Sequence, residues 1–253
     1  MKELRMKEFI YDGSFEGLLT CFFYTYSEKD SLHITRTQLY TPNLLFEPIS
    51  ITTELDKFER VYSSIQTKLS YSVLKNIYYL YLSEWDNCDL LALKYLKLCY
   101  QYGTSINLAK HNDIIVSVDN LVRKVSHECH RFTGFVRFSE IGPLCFYAQI
   151  EPDHHILPLL EQHFTSRFSD QNFIIHDLKR KTALIYDQSS SYLKTLTEQE
   201  NTLLGSYQIN DNFELLFKAF YDSVTIPERA NPRLQKNFVP TRYWKHLTEM
   251  STL

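Results

Sequence analysis

FVRFSEIGPLCFYAQI, residues Phe135 to Ile150, is where the chain stops reading as helix. Two β-prone runs, 135–141 and 144–150, flank Gly142-Pro143, and a turn pair between such runs predicts an antiparallel hairpin. A second hairpin is expected from 173–177 and 182–187, with Leu178-Lys179-Arg180-Lys181 at its tip, and a helix over 155–168 separates the two. Upstream, the pattern from Glu54 to about Arg131 is helical throughout, with joints at 81–85 and 102–104. Helices gathered in the middle and strands afterwards predict an α+β fold. Its helical central region is joined by an antiparallel sheet built from the 134–187 hairpins and a short N-terminal strand.

That N-terminal strand is Phe9-Ile10-Tyr11, and Asp12-Gly13-Ser14 turns from it into a helix that Ser14 can cap. Phe15, Leu18, Leu19, Phe22 and Tyr26 recur at helical spacing, which gives this helix one apolar face. Residues 32–52 read as extended, 188–201 as a polar connection, and 212–223 as a further helix before a proline-punctuated tail. The chain of 253 residues is expected to form a single α+β domain, 1–253, with a basic aromatic tail at 229–253. Five cysteines stand without a C-x-x-C pair, a set that fits reduced thiols and a cytoplasmic location better than a disulfide framework. The first residues carry no signal-type apolar run, and no stretch approaches the roughly 18 apolar residues that span a bilayer, so no membrane partner is expected.

A net charge of −3 means that any basic surface must be local, so the placement of the charges matters more than their sum. KVSHECHRFTGFVRF, Lys124 to Phe138, concentrates histidine and basic residues. Taking 113–131 as one helix, Ile114, Val118, Leu121, Val125 and Cys129 form an apolar stripe. With Val125 at zero, His130, Arg123, His127, Arg131 and Lys124 fall between about 140° and about 260°, opposite that stripe, and Glu128 lies between the two faces. A zincin site needs H-E-x-x-H, whereas the spacing here is H-E-C-H. Arginine and lysine beside His127 and His130 also repel a cation. The same cations suit phosphates. Solvated face, anion surface and metal site remain the three readings, with His127 and His130 as the metal candidates.

Asp153, followed by His154 and His155, stands where a strand meets a helix, and an Asp153–His154 or Asp153–His163 pair could carry acid–base work. The plainer reading makes Asp153 a helix cap. Lys179, Arg180 and Lys181 form a cationic turn that can either reach phosphates or sit in solvent. The tail "RANPRLQKNFVPTRYWKH" contains Arg229, Arg233, Lys236, Arg242 and Lys245, no acidic residue, and interleaved Phe238, Tyr243 and Trp244. Cations mixed with stacking rings are the composition of single-strand binders, while a tail that wraps its own domain would bury Tyr243 and Trp244 as anchors. With six glycines in the chain, the common nucleotide-binding loops are essentially excluded, and no cofactor is expected.

YDGSFEGLLTCFF (11–23), HRFTGFVRF (130–138), IEPDHHILPLLEQHF (150–164), FIIHDLKRKTALIYD (173–187), NPRLQ (231–235) and VPTRYWKHL (239–247) resemble, in order, a bacterial family catalogued as probable DNA metabolism proteins. That family is a domain of unknown function, also found fused to family-4-type uracil-DNA glycosylases. Stand-alone members are associated with a radical SAM protein that has a proposed role in DNA modification or repair. The resemblance implies a stand-alone form here, since no glycosylase domain follows Leu253. It also implies iron–sulfur chemistry that belongs to the partner, since this chain lacks a three-cysteine cluster. Asp12, Ser14, Arg131, Arg137, Asp153, His154, His176, Asp177, Asn231 and Arg242 lie in the matching segments.

The leading expectation is therefore a DNA-binding accessory protein of DNA repair or modification, partnered by a radical SAM enzyme. Its nucleic-acid contacts would come from Arg123, Lys124, His127, Arg131, Arg137, Lys179, Arg180, Lys181, Arg233, Lys236, Arg242, Tyr243, Trp244 and Lys245. One alternative is a hydrolase or lyase acting on a nucleotide or modified base through Asp153, His154 and His163, with metal assistance if the histidines converge. The other is a protein-interaction module without DNA affinity.

Overall fold

The computed structural model describes residues 6–28, 32–205, 212–229 and 231–250. The chain divides into two compact units, Met1–Ser126 and His127–Leu253. Among the described residues no helix is long and apolar enough to cross a membrane.

The first unit begins with β1 (Met6–Tyr11), α1 (Phe15–Thr25), β2 (Leu32–Arg36) and β3 (Phe46–Ser50). The three strands form one parallel sheet in the order β2-β1-β3, with Phe9 opposite both Ile34 and Ile49. The N-terminal strand, expected in the antiparallel sheet, is instead the centre of a separate parallel one, because α1 carries the chain back so that β2 starts at the same end as β1. Ser14 caps α1 as expected, its hydroxyl accepting from the Gly17 N–H at 2.9 Å. Asp12 ties this corner together: its carboxylate accepts from the Ser14 N–H and hydroxyl at 2.9 and 2.7 Å and from the Thr53 hydroxyl at 2.7 Å.

Against the sheet lie α2 (Leu55–Lys68), α3 (Tyr71–Ser83) and α4 (Cys88–Tyr102), followed by the start of α5 (Asp113–Phe135). Their apolar faces and that of α1 enclose one core in which Leu18, Leu19, Ile65, Ile77, Leu80 and Tyr95 are fully buried. Beside it sits a buried polar group. Arg36, at the end of β2, makes a two-pronged pair with Asp89 of α4 (Nε to Oδ2 3.0 Å, Nη2 to Oδ1 2.9 Å) and donates to the Tyr81 carbonyl at 2.9 Å. Tyr11 donates to Asp89 Oδ2 at 2.8 Å. Burial, reinforced by the Asp89 charge, pushes the Tyr11 hydroxyl far above its usual range, so it remains a donor.

The second unit contains β4 (Ser139–Gly142), β5 (Cys145–Ile150), α6 (Leu157–Arg167), β6 (Asn172–Asp177), β7 (Thr182–Tyr186) and β8 (Ser191–Thr195). These are followed by α7 (Glu198–Gly205), α8 (Asn212–Val224) and α9 (Pro232–Phe238). Both expected hairpins form, β4 with β5 and β6 with β7. The five-stranded sheet, ordered β4-β5-β6-β7-β8, is nevertheless mixed, because β5 and β6 run parallel across the α6 crossover. Two boundaries also differ from the sequence pattern. Helix α5 continues through Gly134 to Phe135, and the stretch 188–201 supplies β8 and the first turn of α7. Phe138 meets Phe164, Phe168 and Phe173 edge to face, within 5.1 to 5.7 Å of the three rings, and the cluster anchors α6 to the sheet.

Candidate nucleic-acid interface

Along α5 the buried positions are Ile115, Val118, Leu121, Val125, Glu128 and Phe132. The stripe thus runs through Glu128, not through Cys129 as helical spacing predicts. Arg123, Lys124, His127 and His130 are exposed, and Arg131 is partly exposed. Glu128 is 5% exposed and its carboxylate is fully used. Oε1 accepts from the Asp153 N–H at 2.7 Å and from the Tyr243 hydroxyl, and Oε2 accepts from the His154 N–H at 2.9 Å. A single side chain thereby fixes the loop after β5 and the tail turn at Thr241–His246. Tyr243 is 2% exposed and packs edge-on against Phe132 at 5.0 Å. Its ring is an anchor facing protein, so it has no free face for a base.

The parallel pairing of β5 and β6 brings their carboxyl ends side by side, Ile150 opposite Asp177. Asp177 is fully buried, and Oδ1 accepts the Lys179 and Arg180 N–H groups at 3.0 and 3.2 Å, which makes the turn. Burial raises the Asp177 pKa, and the Arg180 guanidinium, 2.9 Å from Oδ2, opposes that rise. From this turn Arg180 donates to the Pro152 and Asp153 carbonyls at 3.1 and 2.8 Å, and Lys179 reaches the Asp153 carbonyl at 3.2 Å. Arg242 pairs with the Asp153 carboxylate at 2.8 Å. Asp153, Lys179, Arg180, Arg242 and Tyr243, chosen separately from the sequence, therefore meet at one end of the sheet, the end where open α/β sheets place their ligands.

A family model described as a domain of unknown function (DUF4130) matches residues 86–249. The chain belongs to that family. No match was found among curated proteins or among solved structures. The DUF4130 match takes in α4 to α9, so every residue of the Asp153 cluster lies inside it.

Within this DUF4130 member the cations separate by how tightly they are held. Of the cations proposed as nucleic-acid contacts, five pair with carboxylates: Arg137 with Glu249, Arg180 with Asp177, Lys181 with Glu198, Arg242 with Asp153 and Lys245 with Glu151. The Arg180–Asp177 pair is 9% and 0% exposed, and giving up a buried partner is costly, so Arg180 is committed to the turn. Lys181, Arg242 and Lys245 are about half exposed, and pairs of that kind are weak enough to exchange for phosphate. Arg131, Arg233 and Lys236 have no carboxylate partner among the described residues. Arg131 reaches the Asn237 carbonyl at 3.5 Å, which sets it against α9, the helix that carries Arg233 and Lys236. Trp244 is partly buried and donates to the Val239 carbonyl at 2.9 Å. In the first unit, Lys124 lies over the Trp85 ring at 4.8 Å and Arg123 bonds to Asn120.

The histidines do not gather. His127 and His130 point outwards on α5, while His163 lies against Phe164 with a buried Nε2 that has no hydrogen-bond partner among the described residues. His154 is 7% exposed beside the Glu128 clamp. Among the described residues no three His, Cys, Asp or Glu side chains stand close enough to hold a metal ion. His176 is fully buried between the Tyr147 hydroxyl (2.8 Å from Nδ1) and Asn201 Oδ1 (2.9 Å from Nε2). The tautomer that donates Nε2–H to Asn201 Oδ1 and accepts from the Tyr147 hydroxyl at Nδ1 satisfies both contacts with a neutral ring. Burial accordingly lowers the His176 pKa below its ordinary 6.5. A base whose pKa is depressed on folding binds fewer protons when folded, so stability falls as pH drops from about 6.5 through the folded value. Thermal melts of the protein should show this loss, and H176Q should reduce it, the remainder coming from His246, whose pKa burial also lowers. An unchanged acid limb in H176Q would place the titration elsewhere.

Proposed function

We propose that the protein is a nucleic-acid-binding accessory factor of DNA repair or modification that works beside a radical SAM enzyme. The observation that carries the binding is the grouping of Arg131, Arg233 and Lys236, uncompensated by carboxylates among the described residues, around α9, with Phe238 two-thirds exposed on the same short helix. Adjacent cations fix a phosphate backbone without reading sequence, and an exposed ring adds stacking. Lys179, Arg242 and Lys245 extend the supply of cations, each held only by exposed contacts. DNA as the polyanion and the radical SAM enzyme as the partner are supported by the resemblance of the six segments to the probable DNA metabolism proteins.

Fluorescence anisotropy with a labelled single-stranded oligonucleotide, titrated at several salt concentrations, tests the surface. The R131E/R233E/K236E variant should bind at least about tenfold more weakly. Its log–log salt dependence should also be shallower by roughly two, since each phosphate left unneutralised on a single strand lowers the slope by about 0.7. Equal affinity and equal slope in the variant would remove this surface from consideration.

A further inference from the structure

The first unit has a groove of about 730 Å³ between α1, α2 and α4, a volume in the range of small-ligand sites. Most of its lining precedes residue 86, outside the family match. Phe23, Tyr26 and Tyr100 supply ring surface, and Arg60 and Lys68 are its charged groups; among the described residues no carboxylate lines it. Neither cation has an acidic partner among the described residues. Arg60, Ser64 and Lys68 are spaced by four, which puts them on one face of α2, with the Cα atoms of the two cations about 12 Å apart along the helix axis. Tyr26 is 42% exposed and meets Tyr100 edge-on at 5.6 Å, so the contact covers at most one face of one ring. Arg60 stands over Phe23 at 5.3 Å, where its charge lies beside the ring surface.

A wall of aromatic rings selects a flat, apolar-faced group, and a cationic rim without carboxylates selects a negative one. The chemistry that combines the two is a nucleoside phosphate: base against ring, phosphate against guanidinium or ammonium. We infer that the groove between α1, α2 and α4 binds nucleoside phosphate, with the base stacked on Tyr26 and a phosphate taken by Arg60 or by Lys68. This goes beyond the α9 surface and does not depend on it. Standing about two turns apart on α2, the two cations can each take a separate phosphate of a short single strand.

The test uses the full chain carrying R131E/R233E/K236E, so that the α9 surface does not contribute. Fluorescein-labelled hexathymidylate is titrated by anisotropy, with dTMP and a decaglutamate peptide as competitors. R60E/K68E should weaken binding by at least about tenfold, and Y26A by about fivefold or more, the loss expected for one stacked base. Y26F keeps the ring and should stay within about twofold of the parent. Circular dichroism confirms that each variant is folded. Competition by dTMP would identify a free nucleotide as occupant, and its failure while hexathymidylate binds would identify the strand. Either supports the site. The inference is overturned if hexathymidylate does not bind this background, if Y26A binds unchanged, or if decaglutamate competes as well as the oligonucleotide.

Discussion

Replacing Asp89 with alanine should cost the first unit roughly 3–5 kcal/mol, the loss expected when one member of a buried ion pair is removed and the other stays. The Arg36 and Asp89 side chains are 12% and 7% exposed, so Arg36 would keep its charge in a place that water barely reaches. The Tyr11 hydroxyl, on a residue 1% exposed, would lose its acceptor at the same time. Arginine cannot escape the penalty by losing its proton, since its pKa lies far above any working pH. D89N keeps the shape and an acceptor but removes the charge, so it should lie between wild type and D89A. The double variant R36M/D89L removes both charges and should be more stable than D89A, because a buried pair traded for apolar groups is close to neutral. Urea denaturation, with hydrogen exchange of peptides from 6–102 to localise the change, measures the series. A D89A loss below about 1 kcal/mol, or a double variant worse than D89A, would mean that the pair is hydrated and contributes little.

The sequence patterns that survive in the fold are those whose cause is local. Ser14 could be named as a cap because a cap is a matter of three or four neighbouring residues, and both hairpins could be named because turn chemistry and strand propensity are adjacent in the chain. Strand pairing across a crossover has no such local cause. Lys7 meets Leu32 and Ala148 meets Ile175 through helices that intervene, and periodicity does not say on which side a returning strand will lie. β8 is hidden for another reason: Ser191 to Thr195 is an edge strand with mostly exposed side chains, so it lacks the apolar alternation that marks a strand. At the candidate site, composition locates the residues but not their roles. Arg180 looks like a phosphate-reaching finger in the sequence, and the buried Asp177 three residues earlier turns it inwards. Tyr243 looks like a stacking ring, and Glu128 seats it in the interior. The one signal for Glu128 is its spacing from Leu121, Val125 and Phe132 along the helix: a carboxylate on a buried stripe needs donors.

Replacing Glu128 with alanine should therefore have the largest effect in the second unit. It strands the Asp153 and His154 N–H groups and the Tyr243 hydroxyl together, and unsatisfied buried polar groups cost about 1–3 kcal/mol each, so a loss of roughly 3 kcal/mol or more is expected. Y243F breaks only one of these bonds and should cost about 1 kcal/mol. Hydrogen exchange should rise in 151–156 and 241–247 together in E128A, since one side chain holds both. A rise in only one segment would show that the two are fixed independently. The proposed nucleic-acid binding provides the sharper test. Removing a negative charge near Arg131 and Arg242 should, by electrostatics alone, strengthen the grip on a polyanion. If Glu128 instead works by seating the tail, and with it α9 beside Arg131, then E128A should weaken binding although no cation has been removed. E128Q discriminates further, because its amide loses the charge but keeps an oxygen that can accept from the loop. Tighter binding by E128Q with weaker binding by E128A is the pattern expected of a seating residue, whereas tighter binding by both would assign Glu128 a purely electrostatic influence.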